Sequence, residues 1–196
     1  MKQNKLWYSG FIYSLGALIG LIIVWQLVVL ITDVPRFILP PPALVYTAFV
    51  ENWRLIAEHG LVTFTEVMLG LMIGILLGVA TALQLELSST ARLFLRPILV
   101  FSQAIPVFAL APVLTLWLGY GLISKVTMAV LIIYFTVTSA FFDGLRKTPP
   151  GLLDLAMVMQ ATNLRTLFYL KIPAAMPSLL SGVRLAAVYA PIGATI

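Results

Sequence analysis

The sequence predicts an all-α, polytopic bundle of membrane-spanning helices, and three observations carry that prediction. Of the 196 residues, 61% are hydrophobic and only 10% are charged, against about half and about a quarter in an ordinary soluble domain. The apolar residues gather into five long runs, each near the roughly 20 residues that a helix needs to cross hydrocarbon. Between the fourth and fifth runs lies an amphipathic insert, residues 149–174, with helix-start and helix-stop signals of its own. A soluble fold could not hide this much apolar surface, so hydrocarbon is the solvent. Helix follows for each run, because hydrocarbon offers the backbone no hydrogen-bond partners.

The first span is residues 6–31. Lys2 and Lys5 precede it and no small-residue cleavage site follows, so it reads as a retained span, not a signal peptide. Residues 32–62 form a long connection with Asp33, Pro35, Arg36 and the run Pro40-Pro41-Pro42, followed by a short amphipathic stretch at 43–59. The second span is 63–85. Its Gly70, Gly74 and Gly78 repeat at four-residue spacing, a groove that lets another helix approach closely, either within the chain or from another subunit. The third span lies within 97–124, which carries no charge, and the fourth is 126–142. The fifth starts near Ala174 and still runs at Ile196 with no terminating polar cluster, so the chain reads as one transmembrane domain, 1–196, expected to be truncated at its C-terminus.

Orientation follows from the basic residues. With the N-terminus in the cytoplasm, Lys2, Lys5, Arg92, Arg96, Arg146, Lys147, Arg165 and Lys171 fall inside, and Arg36, Arg54 and Lys125 outside. Eight against three obeys the positive-inside rule and places the loop 143–173 in the cytoplasm.

Few residues suggest work inside the bilayer. The third span holds Pro97, Pro106 and Pro112, with Gln103 between the first two. Internal prolines remove backbone hydrogen bonds and kink helices, and such kinks open carbonyls toward a cavity. Gln103, Pro106 and Pro112 are therefore candidates for a translocation path, with an interhelical hydrogen bond as the plainer role for Gln103. Glu66 and Arg184 are the charges that reach the membrane. Both are read as structural intramembrane charges, Arg184 with a carboxylate or helix-end carbonyls as its partner. His59, the lone histidine, is a solvated residue, and no metal set is present in a chain without cysteine. Nucleotide-binding and hydrolase motifs are lacking, as is the basic patterning of a nucleic-acid binder. The chain is thus expected to be no enzyme and to need no cofactor.

The insert is the most specific signal. Thr148-Pro149-Pro150 is a helix start, because proline is tolerated in the first turn. Leu152, Leu155, Ala156 and Met159 recur at helical spacing. Asn163 is placed to cap a second helix with Leu164, Leu167 and Phe168 on its apolar side, and Pro173 to end it. Two readings stand on these residues: a helix lying on the headgroups, or a docking element for a soluble subunit.

The spacing also carries a resemblance. Asp154-Leu-Ala-Met-Val-Met-Gln160, the nine residues 161–169 and then Leu170-Lys-Ile172-Pro173 resemble the EAA loop of permease subunits of binding-protein-dependent bacterial ABC importers. Pro177-Ser-Leu-Leu-Ser-Gly182-Val-Arg184 is similar to the segment that follows it in the family. The Leu39-Pro40-Pro41-Pro42 entry and the Gln103-Ala-Ile-Pro106…Ala111-Pro112 segment look most like the nitrate, sulfonate, taurine and pyrimidine-precursor branch. Asp154 replaces the family Glu, Leu155 the first Ala, and Gln160 the Gly; a left-handed backbone at Gln160 costs about 1–2 kcal/mol. The resemblance implies six spans and a cytoplasmic ATP-binding subunit contacted by Leu152, Asp154, Leu155, Ala156, Met159, Gln160 and Ala161. It also implies a second permease copy as homodimer partner, an extracytoplasmic substrate-binding protein, and residence in the bacterial inner membrane. The expected substrate is a small polar molecule such as a thiamine pyrimidine precursor, with nitrate, sulfonate or taurine as the alternative. A stand-alone carrier or channel is a more distant reading, and a membrane scaffold more distant still, since a scaffold needs no cavity.

Overall fold

The structure is a computed structural model that describes the backbone of residues 2–104 and 107–195 and the side chains of 13–102 and 109–195. Eight α-helices follow one another among these residues: α1 (Lys2–Thr32), α2 (Pro42–Leu87), α3 (Ser89–Ala104), α4 (Val107–Leu118), α5 (Leu122–Arg146), α6 (Pro150–Val158), α7 (Asn163–Thr166) and α8 (Ile172–Thr195), with a π-helical turn, Leu167–Lys171, joining the last two. Four stretches are long and apolar enough to cross a membrane: Tyr13–Thr32, Pro42–Leu87, Leu122–Arg146 and Asn163–Thr195. The chain divides into two compact units, Met1–His59 and Gly60–Ile196.

In the first unit, Tyr13, Leu18, Leu21, Val24 and Leu27 of α1 are all exposed on successive turns. This is the pattern of an apolar helix with little of its surface packed within its own unit, as in a membrane span. Asp33 turns the chain in the left-handed region with φ 47°, and Leu44 N–H donates to Pro41 O at 3.0 Å as α2 begins. Pro42 stands at the first helical position, where its missing N–H is not needed. The stretch 43–59, expected to be separate from the second span, is instead the start of the same helix. Only Gly60 marks the junction, and one glycine costs about 1 kcal/mol, too little to break a helix that neither a proline nor a cap interrupts.

The second unit is organised around α5. Gly70, Gly74 and Gly78 of α2 meet Ala129, Ile133 and Val137 of α5, and a Cβ built on Gly74 would lie 2.7 Å from Ile133 Cγ2. The glycine groove is therefore filled from within the chain. On the other side of α5, a Cβ on Gly182 of α8 would lie 2.5 Å from Ala140 Cβ, and one on Gly193 would lie 3.0 Å from Ala129 Cα. One apolar cluster joins Val67, Ala129, Ile133, Val137, Ala186, Ala190 and Ala194; a second joins Ala82, Leu85, Phe141, Phe142, Leu145, Leu167 and Ala175. Small residues let the backbones close on one another, which in lipid substitutes for the missing hydrophobic drive between helices.

Three boundaries differ from the sequence expectation. The third span is two shorter helices, α3 and α4, with Pro97 inside one and Pro112 inside the other. The fourth extends one turn further than expected, so Asp143 belongs to α5 and not to a loop. Pro173 does not end the second helix of the insert: it occupies the second position of α8, where a proline ring is tolerated, and the rod continues from α7 through the π turn.

Candidate functional site

Two features of the second unit are built for something other than packing: a polar groove between helices, and the exposed face of the insert.

The groove, about 460 Å³, lies between α3, α5 and α8. Thr136, Ser139 and Asp143 enter it from one face of α5, as their helical spacing requires. Ser102 enters from α3 and Ser181 from α8, and Ile132, Phe135 and Leu185 supply apolar wall. Among the described residues, no lysine or arginine lines it. The Ser102 hydroxyl donates to Leu99 O at 2.9 Å and that of Thr136 to Ile132 O at 2.8 Å. Their hydrogens are committed to the backbone, so toward the groove both oxygens act as acceptors. A smaller cavity of about 160 Å³ shares Phe135, Ser139 and Asp143 and adds Arg96, Thr138 and Phe142. The Arg96 and Arg146 guanidinium groups stand over the Phe142 ring, 6.0 and 5.9 Å from its centroid. Cation–π attraction of this kind contributes about 0.5–1 kcal/mol at exposed sites.

The insert is fixed at both ends. Thr148 is buried and donates to Leu145 O at 2.9 Å, and Pro150 starts α6. At its other end Gln160 N–H donates to Met157 O (3.0 Å) and Ala161 N–H to Ala156 O (2.9 Å), with Gln160 left-handed at φ 51°. These two bonds define a Schellman C-cap. The tight turn therefore forms with glutamine where glycine would be unstrained. Thr162, not Asn163, caps α7, accepting from Arg165 N–H at 3.4 Å. Lys171 is tied to Glu86 at the end of α2 at 2.5 Å. Arg92 caps that same end, donating from Nε to Leu85 O (3.1 Å) and from Nη2 to Glu86 O (3.0 Å). The insert and the α2–α3 corner thus enclose a further polar cavity of about 450 Å³.

The residues singled out from the sequence are placed as follows. Leu152, Asp154, Leu155, Met159 and Gln160 are exposed on the insert, and Ala161 is half-buried. Ala156 is 4% exposed, so it faces the chain's own body and cannot present itself to a partner. Met157 and Val158, which the sequence reading omitted, are 69% and 82% exposed. The side chain of Gln103 and all of Pro106 lie outside the described residues. Pro112 is exposed on α4 and does not line the groove. Glu66 is buried, its Oε1 lies 3.9 Å from Lys125 Nζ, and its Oε2 has no partner among the described residues. Arg184 is exposed and has neither an ion-pair nor a hydrogen-bond partner among the described residues, contrary to expectation. The buried register of α8 runs through Gly182, Ala186 and Ala190, and Arg184 sits between these positions, on a side turned away from α5. The groove residues on α5 were missed because Asp143 was read as loop; Thr136, Ser139 and Asp143 at helical spacing were the available signal.

Long apolar helices around a core of glycine and alanine, with a polar groove between them, define a polytopic membrane protein of the transporter class. The backbone is similar to that of an amino acid ABC transporter crystallised with histidines: TM-score 0.65 at 18% identity, covering 76% of this chain and 73% of that one. Residues 70–196 match the family described as binding-protein-dependent transport system inner membrane component, and the chain belongs to that family. It is 47% identical over 176 residues to a probable ABC transporter permease protein of Haemophilus influenzae, covering 90% of this chain and 72% of that protein. It is 33% identical to the formylaminopyrimidine transport permease protein ThiX of Halalkalibacterium halodurans (90% and 70% covered). It is 27% identical to the taurine transport system permease protein TauC of Escherichia coli (88% and 65% covered). The chain is a multi-pass inner-membrane permease subunit of the ABC importer class, in the branch that includes these proteins.

Proposed function

We propose that the groove between α3, α5 and α8 forms part of the translocation path and that α6 is the coupling helix, seated on a separate cytoplasmic ATP-binding subunit. The N-terminus is then cytoplasmic, in keeping with the eight-to-three distribution of basic residues. A second copy of the chain completes the path, and an extracytoplasmic binding protein delivers the substrate. ATP hydrolysis belongs to the partner subunit, and this chain does no chemistry of its own. The substrate is a small polar molecule of the pyrimidine-precursor kind; nitrate, a sulfonate or taurine is the alternative in the same role.

The observation that carries the coupling assignment is the face of α6. Leu152, Leu155, Val158 and Met159 stand exposed on a helix held rigidly by its Schellman cap and by buried Thr148 and Ala156. Large apolar side chains displayed on a rigid polar-tethered element are the usual anatomy of a partner surface. The sequence has no cysteine, so a single cysteine at Val158 is expected to cross-link to the ATP-binding subunit in membranes, while one at buried Ala156 is not. Absence of a cross-link from Val158, with both subunits present and ATPase activity intact, would remove the assignment.

A further inference from the structure

We infer that Asp143 is a specificity-determining residue of the groove, selecting substrates rich in hydrogen-bond donors over anions. The inference rests on the reading of the groove as part of the path, and it concerns which chemistry that path accepts.

The argument is a count of donors and acceptors. The Asp143 carboxylate is exposed, lines both the groove and the cavity that adjoins it, and has no ion-pair or hydrogen-bond partner among the described residues. An ionised carboxylate only accepts. Ser102 and Thr136 have given their hydrogens to Leu99 O and Ile132 O, so they too accept. Among the described lining residues, Ser139 and Ser181 keep a hydroxyl hydrogen to offer. Among the described residues the lining is therefore mostly acceptors, with one formal negative charge and no cation. Arg96 reaches only the adjoining cavity, where its guanidinium stands over Phe142. Arg184 lies between Ser181 and Leu185 in sequence but does not line the groove. A ligand that matches carries N–H groups, neutral or cationic, and a flat apolar face for Phe135. An aminopyrimidine has both. A sulfonate or nitrate brings acceptors to acceptors and negative charge to negative charge, and the unpaired polar groups then work against it.

The test is ATP-driven uptake into proteoliposomes by the complete transporter, comprising this chain, its ATP-binding subunit and its binding protein. Two labelled probes are used, formylaminopyrimidine and methanesulfonate. The binding protein is the same for every variant, so its own preference cancels when permeases are compared. Asp143→Asn is expected to lower the ratio of pyrimidine to sulfonate uptake about tenfold, the loss of one charge-assisted hydrogen bond. Asp143→Lys should lower it further, and Asp143→Glu should preserve it. Retained ATPase activity in each variant shows that the complex still assembles. A ratio that stays within about twofold in Asp143→Asn overturns the inference, as does a wild-type transporter that carries the sulfonate and not the pyrimidine, or neither probe. If Ser139→Trp, which fills the groove, leaves uptake of both probes untouched, the groove is not the path and the wider reading falls with it.

Discussion

The seam between α2 and α5 and the outer face of α6 are both apolar, yet they are made of different residues. The seam is glycine and alanine with a few β-branched side chains, packed until a single added Cβ would collide. The face of α6 is leucine, valine and methionine, standing exposed. In a soluble protein the large side chains would be inside. At the seam, small residues let the backbones approach, which is how helices associate where lipid already solvates large apolar groups; the exposed large side chains of α6 have the anatomy of a partner surface instead. Large side chains are buried too, Phe141, Leu85 and Leu145 among them, but in the second apolar cluster and not at this seam.

That contrast can be broken from either side. The largest effect is expected from Gly74→Leu, which drives a side chain into Ile133; loss of about 3 kcal/mol or more should appear as aggregation in detergent size-exclusion chromatography. Gly60→Leu, with nothing within 4 Å of its Cβ position, should elute as wild type. Next comes Glu86→Ala. It removes the partner of Lys171 from a site where the two side chains are 10% and 24% exposed, and is expected to cost about 2 kcal/mol, read as a lower thermal midpoint in detergent. Gln160→Gly sharpens the comparison in the opposite direction. Relief of the left-handed Cβ should stabilise the insert by about 1 kcal/mol, seen as slower amide exchange at Ala161. Smallest in stability is Val158→Asp, within about 0.5 kcal/mol of wild type. The same variant should nonetheless fail to co-purify with the ATP-binding subunit, and full retention of that subunit would take Val158 out of the interface.

Much of the fold was legible. Run length and the absence of charge marked α1, α5, α8 and the later half of α2, since hydrocarbon leaves the backbone no alternative to helix. The glycine spacing of α2 marked the seam but not its occupant, because nothing local to residues 70–78 says which helix fills a groove. Boundaries were harder. Pro173 signals a stop and Asn163 a cap in isolation; the structure overrides the first by letting the proline sit in a first turn and the second by using Thr162 one residue earlier. On α6 the periodicity gave one apolar face containing Ala156, while tertiary packing split it, burying the small residue and exposing the long ones. The groove was least legible. Its members come from three helices, and Ser, Thr and a terminal Asp look unremarkable until α3, α5 and α8 are brought together.

The π turn at Leu167–Lys171 has a consequence for how the two ends of its rod are phased. The turn takes up one residue beyond the α-helical count, about 100° of rotation at α pitch, so a stripe read along α7 at i, i+4 spacing continues along α8 one residue later. Leu167 is buried while Phe168 and Tyr169 beside it are exposed. Deleting a single residue in this wide turn would restore ordinary α winding and leave Leu164 and Arg165 on the side of the molecule they occupy now, because five residues at π pitch cover about the same rotation as four at α pitch.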